Sequence, residues 1–197
     1  MEIYLMRHGQ TAANRAGIIQ GDSDGPLAQL NETGRAQAAS MTKVVSELNP
    51  QTIYCSPLQR TRDTLALVMG TCHAPVTFDT RLREINYGSF QGKTIEWATM
   101  MYPEWWNPLS NNVLPGYETV SGGESYTTVT QRTMAFLRSI PEQSGPVLVV
   151  THGFIVRSAL AGILGIPETP NLIEPPNVSL TCISRRCGNF SVWYYGR

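Results

Sequence analysis

The segment Val147-Leu148-Val149-Val150-Thr151-His152-Gly153, VLVVTHG, is a short aliphatic run that ends on a histidine followed by a glycine. Ile3-Tyr4-Leu5-Met6-Arg7-His8-Gly9, IYLMRHG, does the same near the N-terminus, in a chain with only three histidines. A continuous apolar run closed by a turn signal reads as a strand buried on both faces, the kind that parallel sheets use. In open sheets of that type the ligand crevice lies beyond the carboxyl ends of the strands. If the two strands are neighbours, both imidazoles face one small volume there. Gly9 and Gly153 then let the backbone turn sharply and come close to a ligand.

Working outward, strand-like runs recur at 52–55 and 76–78, with helical patterns between most of the strands. Asn31 caps a helix whose apolar positions Ala38, Met41, Val44, Val45 and Leu48 form one face, ended by Pro50. Ser56-Pro57-Leu58-Gln59 reads as a cap followed by Pro at the first helical position, opening a helix to about residue 69. Further helices are expected over about 124–140 and over 154–164, the latter closed by Gly165. Two β-rich runs, 179–183 and 190–195, form a hairpin across 185–189. This alternation predicts an α/β fold: a three-layer α/β/α sandwich on a mostly parallel central sheet, with a C-terminal β-hairpin. Residues 1–197 are expected to form a single domain carrying an insertion at about 93–123, rich in Trp, Tyr and Pro, as a lid region over the sheet.

Fifteen basic residues balance fifteen acidic ones, so no global field draws in nucleic acid or an anionic membrane surface, and any anion affinity must be local. No signal-peptide pattern or membrane-length apolar stretch is present, which predicts a cytoplasmic protein. Cys55, Cys72, Cys182 and Cys187 form no CxxC pair and are expected as free thiols, with Cys182 and Cys187 able to face each other across the hairpin. Asp22 and Asp24 suggest a metal only weakly, since no histidine lies at ligand spacing from another, so neither a metal nor another cofactor is expected. Oligomeric state is not legible.

The chemistry follows from what joins the histidines. Arg7 precedes His8, and Arg60 lies in the first turn of a helix leaving another strand end. Arg62 sits about 200° round the helix from Arg60 and faces elsewhere. Two guanidiniums beside His8, His152 and Gly153 at a helix N-terminus make a site for a tetrahedral dianion. Each charge pair there is worth up to about 4 kcal/mol before desolvation, at roughly 4 Å and an effective dielectric near 20. The same cations keep His8 neutral and nucleophilic, provided its other ring nitrogen donates to a carbonyl. Glu84, following the third strand run, reaches the crevice as the group that protonates a leaving alcohol and later deprotonates water. Glu124 reads as a first-turn residue matched to the dipole of its helix.

With Arg7-His8-Gly9, Arg60, Glu84 and Thr151-His152-Gly153 in this order, the chain resembles the histidine phosphatase superfamily, in the branch that holds cofactor-dependent phosphoglycerate mutases and their phosphatase relatives. The likeness takes in RHGQTAAN, GDSDGPLAQLNETGRAQA, SPLQRTRDT, LREINYGSFQG, SGGES and VVTHGFIVR, most of residues 3–157. It implies His8 as the phosphorylated nucleophile, Arg7, Arg60 and His152 as the phosphate pocket, and Glu84 as the proton donor. It further implies Asn14 as a phosphate contact and places Gln20 and Gly21 at the pocket mouth. Mutases of this branch carry a longer insertion before the segment matching Glu124, so the resemblance favours a phosphomonoesterase acting on a small phosphorylated metabolite. Its alternatives are a phosphoglycerate mutase-type phosphotransferase, a ribazole phosphate phosphatase of cobalamin synthesis, and a catalytically silent phospholigand-binding protein.

Overall fold

A computed structural model describes residues 1–142, 145–166 and 172–197. The N-terminal half runs β1 (Glu2–Arg7), α1 (Ala12–Ala16), α2 (Glu32–Ser40), α3 (Thr42–Leu48), β2 (Thr52–Cys55), α4 (Gln59–Val68) and β3 (Val76–Phe78). The chain continues through α5 (Ile95–Met101), β4 (Trp106–Asn107), β5 (Asn112–Val113), α6 (Glu118–Ser121) and α7 (Tyr126–Ser139). It closes with β6 (Val147–Thr151), α8 (Gly153–Leu164), β7 (Leu180–Arg186) and β8 (Asn189–Tyr194).

Six strands form the central sheet in the order β3-β2-β6-β1-β7-β8. The first four are parallel, while β7 runs antiparallel to β1 and β8 antiparallel to β7. Successive side chains of a strand face opposite sides, and here both sides are covered. Ile3, Leu5, Val147 and Val149 enter the core shared with α7 and α8. Met6, Leu148, Val150 and Ile53 enter the one shared with α2, α3 and α4. Each such aliphatic side chain contributes about 1.5–3 kcal/mol on burial, which is what fixes the strands of this three-layer α/β/α arrangement in place.

The expected helix after Asn31 is two helices. Asn31 caps α2 as read, its Oδ1 accepting from Gly34 N at 2.8 Å, but the helix breaks at Met41. Thr42 Oγ1 donates to Ala39 O at 2.8 Å and Leu67 O at 3.1 Å, a side-chain competition that diverts the backbone into a new axis. Ser56 is not the cap of α4. That helix starts at Gln59, and its first N–H is satisfied by Asp24, whose Oδ1 accepts from Gln59 N at 2.9 Å. The helix expected from about Glu124 starts at Tyr126 with Ser125 as its cap, which leaves Glu124 outside the first turn, while Gly165 ends α8 in the left-handed conformation as expected.

The hairpin turns on Cys187 and Gly188, both at positive φ, so only two residues separate β7 from β8. Cys182 pairs with Tyr194 across the hairpin and Cys187 sits at its tip, so these thiols do not oppose each other, and all four cysteines are free. The segment 93–123 holds α5, the β4-β5 ribbon and α6. Its rings form a chain of contacts, Phe90 to Tyr102 at 4.9 Å, Tyr117 to Tyr126 at 6.4 Å and Tyr126 to Phe154 at 4.6 Å, that seats it against the first turn of α8. Among the described residues no helix is long and apolar enough to cross a membrane.

Candidate active site

β1 and β6 are adjacent and end in step, with Arg7 opposite Thr151, so the next residues, His8 and His152, emerge side by side. Their ring centroids are 5.2 Å apart. His8 Nδ1 lies 2.7 Å from Gly9 O, and a carbonyl only accepts, so Nδ1 carries the proton and Nε2 keeps its lone pair. Burial first, then Arg60 and Arg7, lower the His8 pKa well below the usual histidine range. His152 is lowered by burial, then by Arg60 and His8. His152 Nε2 meets Ser56 Oγ at 2.8 Å, while its Nδ1 is buried without a partner among the described residues.

The backbone here is held from distant parts of the chain. Gly9 N donates to Thr64 Oγ1 at 3.0 Å, and a Cβ on Gly9 would lie 2.5 Å from Gly34 O. Asn177 Nδ2 donates to His8 O at 2.9 Å, and Val178 N donates to Arg7 O at 3.1 Å. Val178 does this at φ 55°, a conformation rare for a β-branched residue.

Arg60 is buried, its Nη2 donating to Gly21 O at 2.7 Å and its Nη1 to Ser23 O at 2.9 Å, with Nε facing no protein acceptor among the described residues. Arg62 points away and lies over the Phe78 ring at 4.4 Å, as the helical spacing requires. Arg7 Nη1 donates to Pro175 O at 2.6 Å, and Nη2 pairs with Glu174 Oε1 at 3.2 Å. Glu174 also covers Gly153: a Cβ there would lie 2.1 Å from Glu174 Oε1.

Glu84 is placed by a loop fastened at both ends. Thr151 Oγ1 donates to Leu82 O at 2.9 Å, and Arg132 on α7 donates to the carbonyls of Arg81, Arg83 and Glu84. The Glu84 carboxyl accepts from Ile85 N at 3.0 Å and from Phe154 N, in the first turn of α8, at 3.4 Å. Burial, reinforced by Glu174 and opposed by Arg60, raises its pKa to about 7. Glu124 is neither a helix-dipole residue nor a cavity residue. Its carboxylate accepts from Asn86 N at 2.9 Å and pairs with Arg132 at 3.0 Å, bracing the loop from outside.

A cavity of about 300 Å³ opens over these groups. Arg7, His8, Asn14, Gln20, Gly21, Arg60 and Glu84 border it. His152 and Gly153 do not; the ring of the first lies against that of His8 and the second lies under Glu174. Asn14 also closes the capping box of α1 with Thr11, and Gln20 Oε1 accepts from Thr11 Oγ1 at 2.9 Å. Ser56, Glu174 and Asn177 escaped the sequence reading. Ser56 carried a cap-like signal that pointed elsewhere, and Glu174 and Asn177 lie in a Pro-rich stretch without a motif. Asp22 accepts from Asn86 Nδ2 at 3.0 Å, and among the described residues no group of three or more His, Cys, Asp and Glu gathers closely enough to hold a metal ion.

The family model for the histidine phosphatase superfamily, branch 1, matches residues 3–196. The probable phosphoglycerate mutase GpmB of Escherichia coli O1:K1 / APEC is 35% identical over 170 residues, 85% of this chain and 76% of that protein. A mycobacterial glucosyl-3-phosphoglycerate phosphatase in complex with VO3 superposes with a TM-score of 0.82 at 28% identity, covering 99% of this chain and 98% of that one. Bacillus stearothermophilus YhfR gives 0.81 at 30% identity, covering 99% and 96%.

Proposed function

The chain belongs to the histidine phosphatase superfamily, and from that premise we propose that it is a metal-independent phosphomonoesterase that works through a phosphohistidine on His8. The observation that carries this reading is the His8 tautomer. Its Nδ1 is tied to Gly9 O at 2.7 Å, which turns an unprotonated Nε2 toward a cavity bordered by Arg7, Arg60 and Glu84.

Substrate phosphate takes Arg7 from Glu174 and fills the remaining donors of Arg60. With Ser56 Oγ as the donor to His152 Nε2, the Nδ1–H of His152, buried and without a partner among the described residues, is left to face an anion held on His8. Asn14, Gln20 and Gly21 complete the phosphate surroundings. Nε2 of His8 attacks phosphorus, forming a P–N bond as the ester P–O bond breaks, and the leaving oxygen takes the Glu84 proton. Water then attacks phosphorus while the Glu84 carboxylate takes its proton, the P–N bond breaks, and inorganic phosphate departs. Two easier steps replace one hard one. Residues 1–197 act as one domain, with 93–123 as the lid over the leaving group.

Acid quenching with labelled substrate tests this directly: acid-labile, alkali-stable label is expected on His8. His8→Ala is expected to lose at least about a thousandfold in kcat, because the pocket holds no comparable nucleophile. Absence of the label, or survival of activity, overturns the mechanism. The likeness to a probable phosphoglycerate mutase supports a second reading, a mutase-type phosphotransferase. Transfer between phosphoglycerates in the presence of a bisphosphate primer, outpacing release of inorganic phosphate, would establish it in place of the first.

A further inference from the structure

Three of the carboxamides that border the cavity, Gln10, Asn111 and Asn112, are each oriented by a group that can only donate. Val113 N donates to Asn112 Oδ1 at 2.8 Å, and Trp106 Nε1 donates to Asn111 Oδ1 at 3.2 Å. Asn31 Nδ2 donates to Gln10 Oε1 at 2.9 Å, its own orientation being set by Gly34 N on its Oδ1 at 2.8 Å. With the carbonyl ends so occupied, the NH2 groups of Gln10, Asn111 and Asn112 are the ends left for a ligand. Tyr87, whose hydroxyl also donates to Asn112 Oδ1 at 3.3 Å, and Trp106 border the same cavity. Amide donors beside aromatic side chains suit an oxygen-rich ligand.

The charges decide whether that ligand is neutral. Of the fifteen Lys and Arg residues, Arg7 and Arg60 alone border the cavity among the described residues, and residues 143, 144 and 167–171 contain no Lys or Arg. A phosphate dianion occupies both guanidiniums. It also takes Arg7 from Glu174, whose carboxylate then stands at the cavity wall without its counter-ion. No cation remains to receive a second anion on the same ligand.

Resting on the phosphatase reading above, we infer that the leaving group is a neutral, hydroxyl-bearing alcohol, and that Glu174 turns away esters carrying a second negative charge. The chain would thus differ in preference from the phosphoglycerate-related activities for which two of its relatives are named.

Glycerol 1-phosphate and 3-phosphoglycerate test this cleanly, since they share a carbon skeleton and differ in a terminal hydroxymethyl against a carboxylate. kcat/KM is expected to favour the glycerol ester by at least about tenfold, the effect of about 1.4 kcal/mol of repulsion. Glu174→Gln is expected to cut that ratio at least about threefold, chiefly by improving phosphoglycerate, whereas Glu174→Asp keeps it. Parity in the wild-type protein, or an unchanged ratio in Glu174→Gln, overturns the inference. If Glu174→Gln does not fold, the wild-type ratio decides. Calorimetric binding of the same two esters to the His8→Ala protein, with inorganic phosphate as reference, reads the discrimination without turnover. A protein that hydrolyses p-nitrophenyl phosphate yet prefers phosphoglycerate loses this inference and keeps the phosphatase reading. One that hydrolyses nothing yet binds the glycerol ester more tightly loses the phosphatase reading and keeps the selectivity.

Discussion

A buried carboxyl that burial, with Glu174 adding to it and Arg60 opposing, has pushed up to about 7 changes its proton occupancy inside the ordinary assay range. If Glu84 is the acid of the first step, kcat/KM is full below that value and falls about tenfold per pH unit above it. Glu84→Gln should lose about 10²- to 10³-fold in activity and, with no proton to lose there, show no such limb in its pH–rate profile. A limb that persists unchanged in the variant assigns the titration to another group. Arg7, His8, Arg60 and His152 were legible as a candidate set because reactive residue types at strand ends and first helical turns are few, and Glu84 because it follows the third strand run, although Thr151 and Arg132 fasten its loop from afar. Ser56, Glu174 and Asn177 were not, because their parts come from contacts made across 96 residues to His152, to Arg7, and across 169 residues to the His8 carbonyl.

Between elements, the entry of α2 is pressed against the loop after β1 closely enough that neither backbone tolerates a side chain. A Cβ on Gly34 would lie 2.0 Å from Gln10 O and 2.6 Å from Gln10 N, both main-chain atoms that cannot swing aside. Gly34→Ala should therefore destabilise the protein by about 2 kcal/mol, read as a lower urea midpoint with unchanged slope. Because the shifted loop carries Gly9, activity should fall too. A wild-type midpoint would mean the two segments separate at little cost. Helix positions were readable from periodicity and caps, as Asn31 and Gly165 illustrate. The break at Met41 and the capping of α4 by Asp24 were hidden, since both depend on tertiary partners, Leu67 in one case and a residue 35 positions upstream in the other.

Across the whole molecule, the formal charges cancel, so pH should act on stability mainly through buried groups held neutral. The unfolded chain protonates His8 and His152 below about 6.5 while the folded chain resists it, so stability is lost as pH falls through that value. Glu84 acts in the opposite sense: unfolded it ionises near 4.5, folded near 7, and stability is lost as pH rises between the two. That interval corresponds to about 3 kcal/mol. From pH 5 to 7 the urea midpoint should therefore rise less for wild type than for Glu84→Gln, and parallel curves would refute the assignment. The alternation of strands and helices made the three layers legible from the sequence, and composition marked out 93–123. The internal path of that segment was not legible, because rings such as Tyr117 and Phe90 define it by packing on one another and not by any periodic pattern.

The step-for-step alignment of β1 with β6 has a consequence for how this architecture can vary. Side chains alternate along both strands, so adding or deleting one residue just before Ile3 would send His8, which follows the parity of Met6, toward the α8 side while His152 kept the parity of Leu148 and Val150 on the α4 side, and would turn Ile3 and Leu5 out of their core at the same stroke. Changes of length are thus confined to the loops, and the spacing from strand to imidazole is a quantity that folding and chemistry must conserve together.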